Sequence, residues 1–171
     1  MTEASSLSHI DPELMEAFDL RDVVTDVIQN LEPQLNEKNI TATAVLPEGD
    51  LMVYGEAQQL CRVIVNIVSN AIKFTTQDGK IRVSASRDDK ERKMIISIED
   101  SGPGVEKEKR SRVFESFYKT DPSRKQEGFG LGLYICKQNL QGHGQTNVLG
   151  ESADLGGADF VFSFPYPPEQ E

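Results

Sequence analysis

Apolar residues recur along the chain with two different periods. From Leu20 they fall at Val23, Val24, Val27, Ile28, Leu31 and Leu35, a spacing that predicts a helix with one buried face. Pro33 inside that pattern predicts a kink or an early stop, because proline lacks the N–H of the helical ladder. A second helix opens near Glu56, with Leu60, Val63, Ile64, Ile67, Val68, Ala71 and Ile72 on one stripe. Residues 131–140 carry a third helical pattern. Period-two alternation marks "ITATAVL" (40–46), "KIRVSASR" (80–87) and "MIISIED" (94–100), the last two joined by a charged turn as a hairpin. "TNVLGES" and "ADFVFSF" (158–164) read as strands around Leu155-Gly156-Gly157. "VFESFYK" (113–119) follows a charged helical turn.

Helices therefore alternate with paired strands. That order predicts an α+β domain, a two-layer α/β sandwich in which helices cover one face of a mixed sheet. Residues 1–15 are polar and weakly periodic and read as a frayed lead-in. The Pro-rich, acidic end reads as a disordered tail, and the polar, glycine-containing residues 120–130 as a mobile loop.

Composition narrows the function. The 171 residues suit one domain with a sizeable core. A net charge of −10 repels nucleic acid and anionic lipid, so neither is an expected partner. A phosphate site in such a chain must gather its cations locally. No apolar run approaches the length of a membrane span, and the N-terminus has no signal-peptide pattern. Cys61 and Cys136 stand far apart, without metal-ligand spacing, and read as reduced thiols of a cytoplasmic protein.

"NIVSNAIKFT" (66–75) carries the first chemistry. Asn66, Asn70 and Lys73 fall at i, i+4 and i+7, a polar line separate from the apolar stripe, with Ser69 beside it. A solvated face is one reading. Solvated faces usually use Glu, Lys and Arg, however, which are better helix formers than Asn. The other reading is ligation: amide oxygens coordinate a hard cation such as Mg²⁺, and amide nitrogens donate to phosphate. "DSGPGV" puts Asp100 at a strand end, beside Gly102 and Gly104, where a backbone can approach a ligand closely. "GFGLGL" (128–133) opens a helix and can present N–H groups to phosphate. It follows no strand, so the dinucleotide-binding reading fails.

Taken in this order, the pieces resemble the catalytic, ATP-binding domain of two-component sensor histidine kinases, within the GHKL superfamily of ATPases and kinases. "NIVSNAIKFT" resembles their N box, "DSGPGV" their G1 box, "FESFYK" their F box and "GFGLGLYI" their G2 box. The resemblance covers roughly residues 18–166. It implies the family's ATP fold with a flexible lid at residues 119–128. Residues 1–17 would be the end of a dimerisation domain, and 167–171 a tail. By the same resemblance, Asn66 is the Mg²⁺ ligand and a catalytic residue, and Asn70 and Lys73 lie near the phosphates. Asp100 accepts from the adenine amino group, Gly102, Gly104 and Val105 lie under the nucleotide, and Phe117 lies in the F box. Lys119 stands near the γ-phosphate, with Arg124 and Lys125 as further cations. Gly128, Gly130, Leu131, Gly132 and Leu133 form the lid hinge and helix start.

The implied activity is transfer of the ATP γ-phosphate to a histidine on a separate dimerisation domain, and from there to a response regulator receiver domain. His9 lacks the family's phosphoacceptor setting, so that histidine is expected elsewhere. Ala158 stands where the family has a Thr or Ser whose hydroxyl supports the adenine carboxylate. "GHGQTNVLGES" (142–152) is longer than usual, which predicts a bulged strand, and Glu56 replaces a commoner Asp. Three other readings are a GHKL ATPase, an anti-sigma-factor serine kinase and a non-catalytic module that binds a protein partner. Hydrolytic relatives place a glutamate base where this chain has Asn66.

Overall fold

The computed structural model describes residues 10–115 and 132–169. A 3₁₀ turn at Pro12–Leu14 leads into β1 (Met15–Asp19). Asp19 caps α1 (Leu20–Asn30) by accepting from the Arg21 N–H. The helix breaks at Leu31, and α2 (Glu32–Glu37) begins with Pro33 in its first turn, where a missing N–H costs nothing. The kink expected at Pro33 is this junction. β2 (Thr41–Val45) and β3 (Met52–Glu56) follow, then α3 (Ala57–Phe74), β4 (Lys80–Asp88) and β5 (Lys93–Asp100). A 3₁₀ segment at Lys107–Phe114, α4 (Gly132–Gly142), β6 (Asn147–Glu151) and β7 (Ala158–Pro165) complete the order.

The main sheet has the order β2-β4-β5-β7-β6. β2 runs parallel to β4, and the other pairs are antiparallel, so the sheet is mixed. Along the central strands, Ile81, Val83, Met94, Ile96, Ile98, Phe160, Phe162 and Phe164 are buried against the helices. The α3 stripe expected from the sequence, Leu60 through Ile72, is the buried face of that helix. Leu133, Cys136 and Leu140 of α4 join the same core. Burial pushes the Cys136 thiol up to about 12, which keeps it protonated and unreactive. Cys61 is half-buried. Among the described residues no helix is long and apolar enough to cross a membrane.

Three features differ from the sequence expectation. Met15–Asp19 is not a lead-in but a strand, paired antiparallel with β3 from Met15↔Glu56 to Asp19↔Met52. The boundary expected after residue 17 falls inside it. Neither strand shows a clean alternation, since β1 faces solvent at Glu16 and Ala17 and β3 contains Gly55. The bulge expected in the 142–152 stretch is absent: β6 pairs with β7 in unbroken register from Asn147↔Phe162 to Glu151↔Ala158. The tail is held as far as residue 169. Arg92 donates to Pro167 O at 2.7 Å and pairs with Glu169 at 3.1 Å, and the Tyr166 hydroxyl donates to Asp89 at 2.7 Å.

His143, just past α4, locks two helices together. Its Nε2 accepts from the Glu56 N–H at 3.0 Å, and its Nδ1 donates to Asn139 O at 2.7 Å, which fixes the Nδ1–H tautomer. The ring packs so closely on β3 that only glycine fits at position 55. A Cβ there would lie 2.8 Å from the His143 ring and 2.5 Å from Leu60 Cδ1. Gly55→Ala is expected to destabilise the protein by about 1–3 kcal/mol through overpacking. In a His143→Ala background the same change should cost less, because one of the two clashes is gone. Urea unfolding of the four proteins of this cycle measures both effects.

Candidate functional site

The polar line of α3 flanks the start of α4. Asn66 and Asn70 are half-buried, and Ser69 and Lys73 are exposed. Asn66 Nδ2 donates to Gly132 O at 3.3 Å, and Asn70 Nδ2 donates to Asn66 O at 2.9 Å. With both amide nitrogens committed to backbone carbonyls, the side-chain oxygens are the groups left for a cation or a donor. Gly132 packs beside this pair: a Cβ there would sit 3.7 Å from Asn70 Nδ2 and 3.8 Å from Asn66 Cγ. Lys73 Nζ lies 5.3 Å from the centroid of the Phe74 ring.

Next to this line a cleft of about 200 Å³ opens between α3 and the ends of β5 and β7. Phe74, Pro103, Val105, Ala158 and Phe160 give it apolar walls, and Asn70, Asp100, Gly104, Glu106 and Lys109 supply the rest. Asp100 is almost fully buried at its floor, 4% exposed. Its Oδ1 accepts from the Gly102 N–H at 2.9 Å and the Ala158 N–H at 3.2 Å. Among the described residues Oδ2 accepts nothing, so it is the oxygen that can meet a ligand. Burial raises the Asp100 pKa above the ordinary carboxylate range, and the two backbone N–H bonds oppose that shift. Ala158 lacks a hydroxyl, but its own N–H takes up the support of the carboxylate.

Glycines make this packing possible at two positions. A Cβ at Gly157 would overlap Asp100 Oδ1 and stand 2.7 Å from the Gly102 nitrogen. A Cβ at Gly102 would press on Phe74 O at 2.8 Å. The Gly157 strand-entry turn is itself pinned from behind. Ser152 Oγ donates to Glu99 Oε2 at 2.7 Å, Arg82 Nη2 binds Glu99 Oε1 at 2.8 Å, and the Gly157 N–H donates to Asp100 O at 3.0 Å.

The site residues expected from the sequence divide into three groups. Asn70, Asp100, Gly104 and Val105 line the cleft, and Gly102, Lys73, Asn66 and Gly132 border it. Leu133 is fully buried in the core rather than on the cleft. Phe117, Lys119, Arg124, Lys125, Gly128, Gly130 and Leu131, with the lid and His9, lie outside the described residues. Sequence reasoning missed Phe74, Phe160, Pro103, Glu106, Lys109 and Gly157. Phe160 alternates into the core like its strand neighbours, so nothing in the pattern marks it as a wall. Gly157 carried a signal, a glycine pair directly before a strand.

The cleft fits a flat aromatic ring bearing an exocyclic amine: apolar walls take the ring faces, and a single buried carboxylate oxygen takes the amine. Among the described residues no cluster of three His, Cys, Asp or Glu side chains forms a metal cage. A Mg²⁺ ion needs none when one or two side-chain oxygens and substrate phosphates complete its shell, and Asn66 and Asn70 supply such oxygens.

Comparisons with known proteins show the family and the fold. The family model described as histidine kinase-, DNA gyrase B- and HSP90-like ATPase matches residues 55–168. The sensor histidine kinase WalK of Bacillus subtilis is 34% identical over 79% of this chain, which spans only 22% of that kinase. The catalytic domain of histidine kinase ThkA superposes with a TM-score of 0.78 at 27% identity, covering 91% of this chain and 99% of that domain. ThkA is also solved in complex with the response regulator protein TrrA, with a TM-score of 0.76 at 25% identity, covering 92% of this chain and 43% of that one. ShkA, solved full-length with AMPPNP, gives 0.79 at 28% identity over 98% of this chain and 35% of its own.

Asp100 carries a stability cost that pH exposes. Its folded pKa lies above the unfolded value, so the native state takes up the proton first and stability from this group rises as pH falls. Asp100→Asn keeps an acceptor oxygen for both N–H groups and removes the buried charge. Without ligand, the variant is expected to be more stable than the parent at pH 7. Denaturant titrations should show that advantage shrinking as pH falls through the raised pKa.

Proposed function

Because the chain belongs to the family of histidine kinase-, DNA gyrase B- and HSP90-like ATPases, we propose that it is the ATP-binding kinase unit of a sensor histidine kinase. It holds Mg·ATP and passes the γ-phosphoryl group to a histidine on a separate dimerising domain, in the same protein or in trans. The phosphoryl group then goes to an aspartate of a response regulator receiver domain, the class of partner with which ThkA is solved. The observation that carries the reading is Asp100: a buried carboxylate lining an apolar-walled cleft, with one oxygen holding two N–H groups and the other accepting from no described residue. Adenine offers an amino group there, whereas guanine offers a carbonyl oxygen that would leave the carboxylate unmatched. On this reading the segment before β1 leads from the dimerising domain, and the unit works in the cytoplasm, where ATP is available.

The chain's own part in the reaction is positioning. The cleft fixes the base, and α3 presents Asn66 and Asn70 toward the phosphates. Asn66 would hold Mg²⁺, which when bound would supply charge neutralisation for the phosphates. By resemblance to the family, Lys119 is assigned the role of adding positive charge for the γ-phosphate. An imidazole nitrogen of the acceptor histidine then bonds to the γ-phosphorus as the bond to the β,γ-bridging oxygen breaks, and ADP leaves. No proton need be removed from an imidazole nitrogen that attacks through its lone pair, so the chain needs no general base. Asn66 cannot act as one for water, which favours transfer over hydrolysis. His143 is an unsuitable acceptor, since both ring nitrogens are engaged by Glu56 and Asn139.

Calorimetry with Mg·ATP and Mg·GTP is expected to show binding of ATP and much weaker binding of GTP. Asp100→Asn should weaken ATP by about 1.5–3 kcal/mol, more than tenfold, through loss of a charge-assisted hydrogen bond. Equal affinities for the two nucleotides would overturn the assignment.

With radiolabelled ATP the chain alone should stay unlabelled. An added dimerising domain with its acceptor histidine should gain acid-labile label, and Asn66→Ala should abolish that transfer by loosening Mg²⁺. Tight ATP binding with no transfer to any acceptor domain would favour the non-catalytic module instead.

A further inference from the structure

The C-terminus of α3 ends in a bond pattern that the nucleotide reading does not use. The Thr75 N–H donates to Ala71 O at 2.9 Å as the helix ends, and the last carbonyls of a helix have no N–H four residues on to meet them. Lys38, at the end of α2, reaches across to them. Its Nζ donates to Ile72 O at 2.7 Å, Lys73 O at 2.9 Å and Thr75 O at 2.9 Å. An ammonium has three donors, and all three are spent here. Its charge also sits at the negative end of the helix dipole.

Lys38 takes the carbonyls on both sides of Phe74. Phe74 O is the atom on which Gly102 packs so tightly that a Cβ would come within 2.8 Å. The Phe74 ring lines the cleft, and the Gly102 N–H holds Asp100 Oδ1. The peptide units that Lys38 grips therefore set two parts of the pocket at once, an apolar wall and the support of the carboxylate. The corner around the lysine is built to hold it still. The Asp78 N–H donates to Lys38 O at 2.8 Å, Asn39 Nδ2 donates to Asp78 Oδ1 at 2.6 Å, and the Thr41 N–H donates to Gly79 O at 3.0 Å. Asn39 and Asp78 both adopt positive φ, 53° and 65°, to make that corner.

We propose that Lys38 is a positioning residue for recognition of the base, acting through Phe74 and Gly102 on Asp100. The inference rests on the nucleotide reading of the cleft. It assigns Lys38 no contact with the nucleotide and no role in the transfer itself.

The test compares Mg·ATP and Mg·GTP affinity by calorimetry for the parent, Lys38→Met and Lys38→Arg, at a temperature where circular dichroism shows each to be folded. Lys38→Met keeps an apolar stem and strands three carbonyls. It should lose roughly tenfold in ATP affinity, with a much smaller loss for GTP, so that the preference for ATP shrinks. Lys38→Arg keeps the charge, but its planar fork cannot meet three carbonyls that converge on one point, so it should fall between the two. A merely structural lysine would lower the melting temperature and leave the ATP-to-GTP ratio where it was. If Lys38→Met does not fold, Lys38→Arg carries the same comparison. A parent-like ratio and affinity in the folded variants would overturn this inference while leaving the nucleotide reading intact. A parent that binds neither nucleotide would overturn both.

Discussion

A carboxylate buried to 4% exposure is costly unless hydrogen bonds meet it, and Asp100 meets that condition with bonds from two places in the chain. One N–H comes from the loop that leaves its own strand, the other from the first residue of β7. Both donors must arrive without side chains in the way. Hence Gly102 fits under Phe74 O and Gly157 fits against the carboxylate itself. The order of the sheet follows the same demand, since β7 must lie beside β5 for Ala158 to reach Asp100. The other oxygen accepts from no described residue, and the raised pKa is the residual cost of burying the carboxylate.

α3 answers two constraints with one sequence. Its apolar stripe anchors the helical layer on the sheet, and its asparagine line sacrifices helix propensity to put amide oxygens beside the cleft. The compromise is tolerable because tertiary packing, rather than propensity, holds most helices in place. Both ends of the helix are fixed by residues distant in sequence. His143 accepts from the Glu56 N–H at the N-cap, and Lys38 closes the C-terminus.

Much of this was legible in the chain. The strong periodicities of α1, α3, β4 and β5 placed the core, because one buried face leaves a regular signature. Asp100 and Asn70 stood out because a strand-end acid beside glycines and an Asn-bearing helix face both break local rules. β1 and β3 were illegible, since a two-stranded ribbon buries too little to enforce alternation. Phe74 and Phe160 were hidden by their chemistry: an apolar wall of a cleft has the same side chains as a core. Lys38 was hidden too, as a lone lysine at the end of a helix looks like any solvated charge until its acceptors are found. Ala158 was legible only in part. The missing hydroxyl drew attention, while the backbone N–H that supports the carboxylate leaves no trace in a sequence.

The bond from the Ala158 N–H to Asp100 spans 58 residues. A chain emerging from the ribosome completes α3 and the β4–β5 hairpin well before Ala158 exists. A contact of such separation requires the loop between its partners to be closed at an entropic cost. Until the β6–β7 hairpin docks, Asp100 has half its support and Phe160 is absent from the wall. The pocket is therefore incomplete until the chain has reached β7, since the elements before it supply only one of the two N–H donors to Asp100 and no Phe160.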